Sequence, residues 1–248
     1  NYQPYQLEEF KASAIDPELV LLNITNLDGD RAVGALLWGL APAERTNPGV
    51  AREKYTRPLQ HVRQGGLAFY GVDPVTGERT ECLSFKPDRP LSPERKYENP
   101  RQVKPQAIYP AVTYRIWQMV SGRFNVPLPP DVTLDDLSAS APEFWLWVIE
   151  HNLPTIITEG AKKALSAISQ GFPAIGLTGL WNWTDSIKDE NGKTKSHRLI
   201  DTLHPIATPE RVINIGLDRD KKAATNRAVI QSRSALAKCL IERECQPF

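Results

Sequence analysis

The clearest pattern of apolar and polar positions lies in the second half of the chain. A β-branched run over residues 155–158 predicts a buried strand that stops at Glu159-Gly160, and the apolar run 174–177 predicts another strand. Between them, apolar residues recur at helical spacing over 161–170, and a glycine follows. Strand, ten-residue helix and strand together predict a right-handed βαβ unit with parallel strands.

A third apolar run, residues 211–217, predicts a strand that leads into Asp218-Arg219-Asp220. Residues two apart on an extended chain project to one side, and carboxyl ends of parallel strands share one sheet edge. We therefore expect Asp218, Asp220 and Glu159 to converge there. Taken alone, an Asp-x-Asp after a strand is more often a solvated loop or a helix cap. The joint occurrence favours a site for a divalent cation, Mg²⁺ or Mn²⁺.

Two lysines, Lys162 and Lys163, fall in the first turn of the predicted helix. Cations there oppose the helix dipole, so a role facing phosphate is favoured over an ordinary charged face. Residues 181–205 are polar and predict a loop inserted after the second strand, with Trp181 and Trp183 at its mouth, where they could cover the site.

The first half has a different texture, with a β-hairpin predicted from runs at 66–72 and 81–85. Residues 41–105 carry twelve basic and eight acidic residues, interleaved with tyrosines. Such a surface suits single-stranded nucleic acid, although a solvated face is the plain alternative. The candidate nucleic-acid contacts are Arg52, Lys54, Arg57, Arg63, Lys86, Arg89, Lys96 and Arg101, together with Lys221 beside the proposed metal site.

The composition indicates the general class of protein but says little about its activity. The chain has 248 residues, a formal net charge of +1 and 41% apolar residues, enough for a sizeable core. It contains no apolar run of bilayer length and no signal-peptide pattern, so we expect a cytoplasmic protein without a membrane partner. Its three cysteines match neither a zinc ribbon nor a disulfide framework and are interpreted as reduced thiols.

Helices are further predicted over 111–123, over 144–149, where the aromatic side chains are expected to pack in the core, and over 223–245. The proline-rich stretch 125–131 marks a domain boundary, with an α+β domain with a basic face over 1–130 and a second domain over 131–248. Since the chain stops shortly after its last helix, we also expect that a final strand is missing.

Strand, Glu159-Gly160, helix, Gly171-Phe172-Pro173 and strand, followed by a strand ending in Asp218-Arg219-Asp220, resemble the TOPRIM domain of DNA primases, topoisomerases and related nucleases. The resemblance implies an α/β fold with a TOPRIM-like parallel sheet and flanking helices over 131–248. It also implies metal-bound carboxylates at Glu159, Asp218 and Asp220. The first two acidic positions lie 59 residues apart, more than in the compact form of the domain, and the excess falls in the polar insertion.

The N-terminal half is similar to the opening of cyanobacterial plasmid replication proteins, and the segment 144–164 is similar to their TOPRIM-like region. The motifs that carry the first resemblance are Arg45-Thr46-Asn47-Pro48-Gly49, Arg57-Pro58-Leu59-Gln60-His61, Gly65-Gly66, Phe85-Lys86-Pro87-Asp88-Arg89-Pro90 and Lys96-Tyr97-Glu98-Asn99-Pro100. Family members often carry a helicase domain, but these 248 residues contain no Gly-x-x-x-x-Gly-Lys-Ser/Thr phosphate loop.

We therefore expect a replication protein of a plasmid or mobile element that acts as a magnesium-dependent DNA primase. Its partners would be single-stranded DNA, nucleoside triphosphates and a helicase domain or protein, and its catalytic residues Glu159, Asp218, Asp220, Lys162 and Lys163. The alternatives are a metal-dependent nuclease, with His197 or His204 as general base, and a replication module that binds DNA without catalysis.

Overall fold

The computed structural model describes residues 2–132, 136–218 and 223–248. Its helices are α1 (Pro4–Ala12), α2 (Pro17–Asn23), α3 (Gly29–Ala35), α4 (Glu53–Thr56), α5 (Tyr114–Phe124), α6 (Phe144–Glu150), α7 (Ala161–Ser169) and α8 (Ala223–Ile241), with short 3₁₀ segments at Pro42–Glu44, Arg57–Gln64 and Asp201–Leu203. Its strands are β1 (Ile24–Leu27), β2 (Gly66–Phe69), β3 (Ser84–Pro87), β4 (Ala107–Ile108), β5 (Thr155–Glu159), β6 (Ala174–Leu177), β7 (Thr184–Lys188), β8 (Thr194–Leu199), β9 (Val212–Gly216) and β10 (Gln246–Pro247).

The main sheet has five strands in the order β10-β9-β5-β6-β4. Strands β10, β9, β5 and β6 run parallel, and the two-residue edge strand β4 pairs antiparallel with β6. Helix α7 connects β5 to β6, as the hydrophobic pattern predicts. The predicted α/β class, with a parallel sheet and flanking helices, is confirmed, and the last residues of the chain themselves supply an edge strand to this sheet.

The N-terminal half forms a separate antiparallel sheet in the order β1-β2-β3. The predicted pairing of the runs near 66–72 and 81–85 is confirmed as β2 against β3, in which Ala68 faces Phe85. Strand β1 was not predicted. A second, smaller hydrophobic cluster lies at this sheet, where Leu36 of the α3 end and Leu59 are fully buried.

The larger hydrophobic cluster contains residues from Phe10 to Cys245 and so includes side chains of both halves. The halves also meet at α2 and α7, where the Asp16 backbone N–H donates a hydrogen bond to Ser169 Oγ at 2.8 Å. The strand β4 belongs to the predicted first domain but completes the main sheet. The predicted boundary at residue 130 stays a prediction.

Helix α6 packs its aromatic residues as predicted, because Phe144, Trp145 and Trp147 are all buried. The predicted inserted loop over 181–205 is wrong: most of it forms the antiparallel hairpin β7–β8. The sequence does not predict β7 and β8, because few of their residues are buried and the strands therefore lack an alternation of apolar and polar residues. Within the part of the chain that the structure describes, no helix combines the length and apolar character that crossing a membrane requires.

Candidate active site

Glu159 is the last residue of β5, and it lies at the carboxyl edge of the main sheet. It is half-buried and sits in register with Leu177 of β6, while the preceding residue, Thr158, pairs with Gly216 of β9. The Thr158 hydroxyl donates a hydrogen bond to the Gly216 carbonyl at 3.0 Å, which ties these two strand ends together. Glu159 therefore has a fixed position between the ends of β6 and β9.

The turn after Glu159 depends on two glycines. Gly160 has φ 87° and ψ 148°, a conformation that side chains with a Cβ rarely adopt, and its N–H donates to the Leu177 carbonyl at 2.7 Å. A Cβ on Gly176 would lie 3.0 Å from the carbonyl carbon and oxygen of Gly160. The glycine in β6 thus lets the Glu159-Gly160 turn pack directly on the neighbouring strand before α7 begins.

Asp218 lies two residues beyond the end of β9, at the same edge as Glu159. Its side chain is 61% exposed and forms an ion pair with Lys163 of α7. The structure thus places Glu159, Asp218 and Lys163 at one edge of the sheet, and their functional roles stay predictions. Asp220 and Lys221 lie outside the described residues.

Electrostatics shows that Glu159 and Asp218 are close enough to influence each other. Burial raises the pKa of the Glu159 carboxyl group, the charge of Asp218 raises it further, and Lys163 opposes both effects. Bringing a dication to such a pair would relieve the repulsion, and oxygen donors are the ligands that Mg²⁺ prefers. Within the described ranges, no group of three His, Cys, Asp or Glu side chains is arranged so that it could hold a metal ion.

Another carboxylate, which the sequence analysis did not single out, reaches the same place. Glu9 of α1 is half-buried and accepts hydrogen bonds from Lys86 Nζ at 2.5 Å and 2.6 Å and from Lys162 Nζ. Lys86 lies on β3 and Lys162 in the first turn of α7, so one side chain joins three elements. No local signal marks Glu9, because its partners are 77 and 153 residues away.

These groups line one cleft of about 470 Å³ between the N-terminal half and the edge of the main sheet. Lysines from both halves line this cleft together with the carboxylates of Glu9, Glu159 and Asp218, so the cleft suits a ligand that combines phosphate groups with a bound cation. Its lining residues are Glu9, Ser84, Lys86, Lys96, Tyr97, Ile108, Glu159, Gly160, Ala161, Lys162, Lys163, Leu177, Thr178, Gly179 and Asp218.

The remaining cations of the N-terminal half do not form one surface of equal character. Arg52, Arg57 and Arg89 are exposed. Others contact carboxylates, including the buried Glu98, which gives them structural partners within the fold. These pairs are Lys54 with Glu44 at 2.8 Å, Arg63 with Asp30 at 2.5 Å, and Arg101 with Glu98 at 3.4 Å. A nucleic-acid role for these residues stays a prediction.

Neither of the two histidines that are candidate bases is among the described residues that line the cleft. His197 stacks on Trp181, with ring centroids 5.4 Å apart and planes 21° apart, and it also contacts Trp183. His204 is exposed.

Comparison with known proteins gives a partial match to a family without an assigned function. The model of a domain of unknown function (DUF3854) matches residues 144–248, the segment that contains Glu159 and Asp218. An uncharacterized protein of Picosynechococcus sp. is 34% identical over 240 residues. The match covers 92% of this chain and 23% of that relative, so the chain spans about a quarter of the relative's length.

Among solved structures, the crystal structure of the Aquifex aeolicus primase (zinc-binding and RNA polymerase domains) is similar to this chain. The sequence identity is 15%, the TM-score is 0.46, and the match covers 99% of this chain and 49% of that one.

Proposed function

We propose that the cleft is the active site of a metal-dependent nucleotidyltransferase that makes primers on single-stranded DNA during replication of a plasmid or mobile element. The observation that carries this proposal is the placement of Glu159 and Asp218 at the ends of adjacent parallel strands, in a cleft that lysines from both halves also line. Carboxylates beside cations are the combination that phosphoryl transfer requires, since both the metal and the phosphates must be held.

Glu159 and Asp218 would hold Mg²⁺ or Mn²⁺, with Asp220 proposed as a further ligand. When bound, the metal would lower the barrier by stabilising charge on the transferring phosphoryl group. Side chains of the protein would bind the nucleotide. Lys162 and Lys163 would bind the triphosphate of the incoming nucleotide, since they lie in the first turn of α7 and line the cleft.

The surface of the N-terminal half would hold the template. Lys96 and Tyr97 line the cleft from that side, so a strand bound there would reach the carboxylates. Basic residues neutralise backbone phosphates, and a tyrosine ring can stack on a base. The exposed Arg52, Arg57 and Arg89 would extend this surface, and a helicase domain or partner protein belongs to the same proposal.

One experiment distinguishes primer synthesis from the two alternatives, which are a nuclease and a non-catalytic replication module. The protein is incubated with circular single-stranded DNA, labelled nucleoside triphosphates and Mg²⁺ or Mn²⁺, and both new products and cleavage of the circle are read on one gel. Primer synthesis predicts short labelled products on an intact circle. Cleavage without incorporation would instead indicate a nuclease, and DNA binding without either reaction would indicate a non-catalytic replication module.

A further inference from the structure

The Glu9 carboxylate occupies a position in the cleft where two ammonium groups converge. Lys86 Nζ donates to both carboxylate oxygens, at 2.5 Å and 2.6 Å, and Lys162 Nζ donates to one of them. The side chains of all three residues are about a quarter exposed, so these bonds are partly sheltered from water. Hydrogen bonds between charged groups in such surroundings are stronger than those on an open surface.

Lys86 and Lys162 together carry one more positive charge than the Glu9 carboxylate that they share. Lys96 and Lys163 line the same cleft, and Lys163 has its own partner in Asp218. A phosphate group has more oxygen acceptors and more negative charge than a carboxylate, so it would satisfy Lys86 and Lys162 better. The geometry is therefore that of an anion site with an internal anion in it.

We propose that Lys86 and Lys162 form a phosphate-binding site for a polyphosphate ligand, and that the Glu9 carboxylate fills this site until the ligand displaces it. The identity of the ligand rests on the proposed function, under which it is the triphosphate of the incoming nucleotide. Glu9 then sets how readily polyphosphate enters the cleft.

Displacement requires movement of one side chain rather than of its helix. Helix α1 is held independently of Glu9, because Phe10 is buried and packs edge-on against Tyr2, with ring centroids 5.4 Å apart. Gln6 on the same helix is also buried and donates a hydrogen bond to Asp88 at 3.1 Å. A rotation about the side-chain bonds of Glu9 would open the two ammonium groups while α1 stays in place.

Glu9 remains an anion at neutral pH and so competes with the ligand under working conditions. Burial by itself raises the pKa of its carboxyl group, but the hydrogen bonds from Lys162 and Lys86 outweigh burial and hold the pKa below its ordinary value. Neutralising the side chain should therefore remove a competitor, and it should also leave both lysines in need of an anion.

The test is isothermal titration calorimetry with inorganic tripolyphosphate in buffer that contains EDTA. We expect Glu9→Gln to bind tripolyphosphate at least about tenfold more tightly than the wild type, since a charge-assisted contact no longer has to be broken. The matched control is Glu8→Gln, which removes the same charge from an exposed neighbouring position and should change affinity less than about twofold. Adding Lys86→Gln and Lys162→Gln to the Glu9→Gln variant should abolish its gain in tripolyphosphate affinity.

Equal affinities for Glu9→Gln and Glu8→Gln would overturn the proposal, whether both match the wild type or both exceed it. Thermal melts of each variant show whether the fold is retained. If Glu9→Gln does not fold, Glu9→Asp provides the second test. It keeps the charge on a shorter side chain that reaches the lysines less well, so it should bind tripolyphosphate more tightly than the wild type, and unchanged affinity would contradict the proposal.

This experiment contains no metal, nucleotide or DNA, so its outcome is independent of primer synthesis. Tighter binding by Glu9→Gln without any primer synthesis would contradict the proposed function alone. If the wild type makes primers but Glu9→Gln binds tripolyphosphate no more tightly than the wild type does, only the displacement proposal is contradicted.

Discussion

Asp218 raises the pKa of Glu159 across the carboxyl ends of two neighbouring parallel strands, in addition to the larger effect of burial. A carboxylate whose ionisation is disfavoured by burial and by a neighbouring negative charge, as that of Glu159 is, lowers the stability of the fold in the absence of a cation, and a bound dication would offset this cost. Binding of a metal by the folded protein would therefore raise its stability. A thermal measurement can therefore reveal the proposed metal site without any assay of activity.

Glu159→Gln should raise the melting temperature in EDTA by roughly 2 °C, because it removes a desolvated charge and its repulsion with Asp218. The same variant should lose the rise in melting temperature that Mg²⁺ gives the wild type. Differential scanning fluorimetry with and without Mg²⁺ measures both effects. Glu150→Gln, an exposed position at the end of α6, is the control and should keep the full response. A full Mg²⁺ response in Glu159→Gln would rule out this residue as a ligand.

The contribution of Glu9 to folding stability should depend on pH with a defined sign. Since the folded pKa of Glu9 lies below its ordinary value of 4.5, its ion pairs stabilise the protein fully above that value. The stabilisation is lost as the pH falls through the folded pKa. Urea unfolding of wild type and Glu9→Gln should therefore show a larger difference at about pH 7 than at a pH well below 4.5. A difference that is equal at both pH values would contradict the ion-pair account.

Substitution of the two tryptophans at the start of the hairpin should affect different properties, namely folding stability for Trp183 and DNA affinity for Trp181. Trp183 is fully buried and donates a hydrogen bond to Ser232 Oγ at 2.9 Å, so Trp183→Ala should cost about 3–5 kcal/mol of stability. Trp181 stacks on His197 but is still 38% exposed, so part of its ring is available to a nucleic-acid base. We expect Trp181→Ala to unfold much as the wild type does but to bind single-stranded DNA about tenfold more weakly.

Fluorescence anisotropy with a labelled oligonucleotide measures the DNA affinity, and urea unfolding measures the stability. An unchanged affinity in Trp181→Ala would remove this residue from the DNA surface. Because Trp183 is fully buried, neither tryptophan would then support the prediction that the pair covers the site.

Arg211 is a structural residue, although it stands just before the strand that leads to Asp218. It is fully buried, and its guanidinium donates hydrogen bonds to the carbonyls of Val148, Ile149 and Leu153 at 2.8–3.1 Å. Burial lowers its pKa to about 10, so the group stays charged at neutral pH. Arg211→Met should lower the free energy of unfolding by about 3 kcal/mol, because these carbonyls at the end of α6 lose their donors.

The control for Arg211 is Arg198→Met, which breaks an exposed ion pair with Asp185 at 3.1 Å. Pairs of this kind contribute about 0–1 kcal/mol, so its urea midpoint should stay close to that of the wild type. Equal midpoints for the two variants would show that the buried guanidinium does not stabilise α6.

The elements that the sequence predicts well are those whose signal is local. The β5–α7–β6 unit, the aromatic face of α6 and the buried Leu236 and Leu240 of α8 all follow from apolar spacing within one segment. The hairpin β7–β8 was missed because its strands are polar and largely exposed. Only its turn, near Gly192, has a recognisable sequence signal.

The candidate site divides in the same way. Glu159, Lys163 and Asp218 were predictable because each follows from the end of a strand or the start of a helix, and parallel strands bring such ends together. Glu9 and Arg211 were not, because their roles come from contacts between distant segments. A glutamate on a short helix and an arginine before a strand look like ordinary surface residues until the chain has folded.

Nucleotide incorporation on circular single-stranded DNA in Mg²⁺ is the measurement that tests whether this cleft is an active site. The wild type should make short labelled products, Asp218→Asn should make at least about a hundredfold less, and the exposed control Asp201→Asn should match the wild type. Equal synthesis by wild type and Asp218→Asn, with both proteins folded, would contradict the assignment of this cleft as the active site.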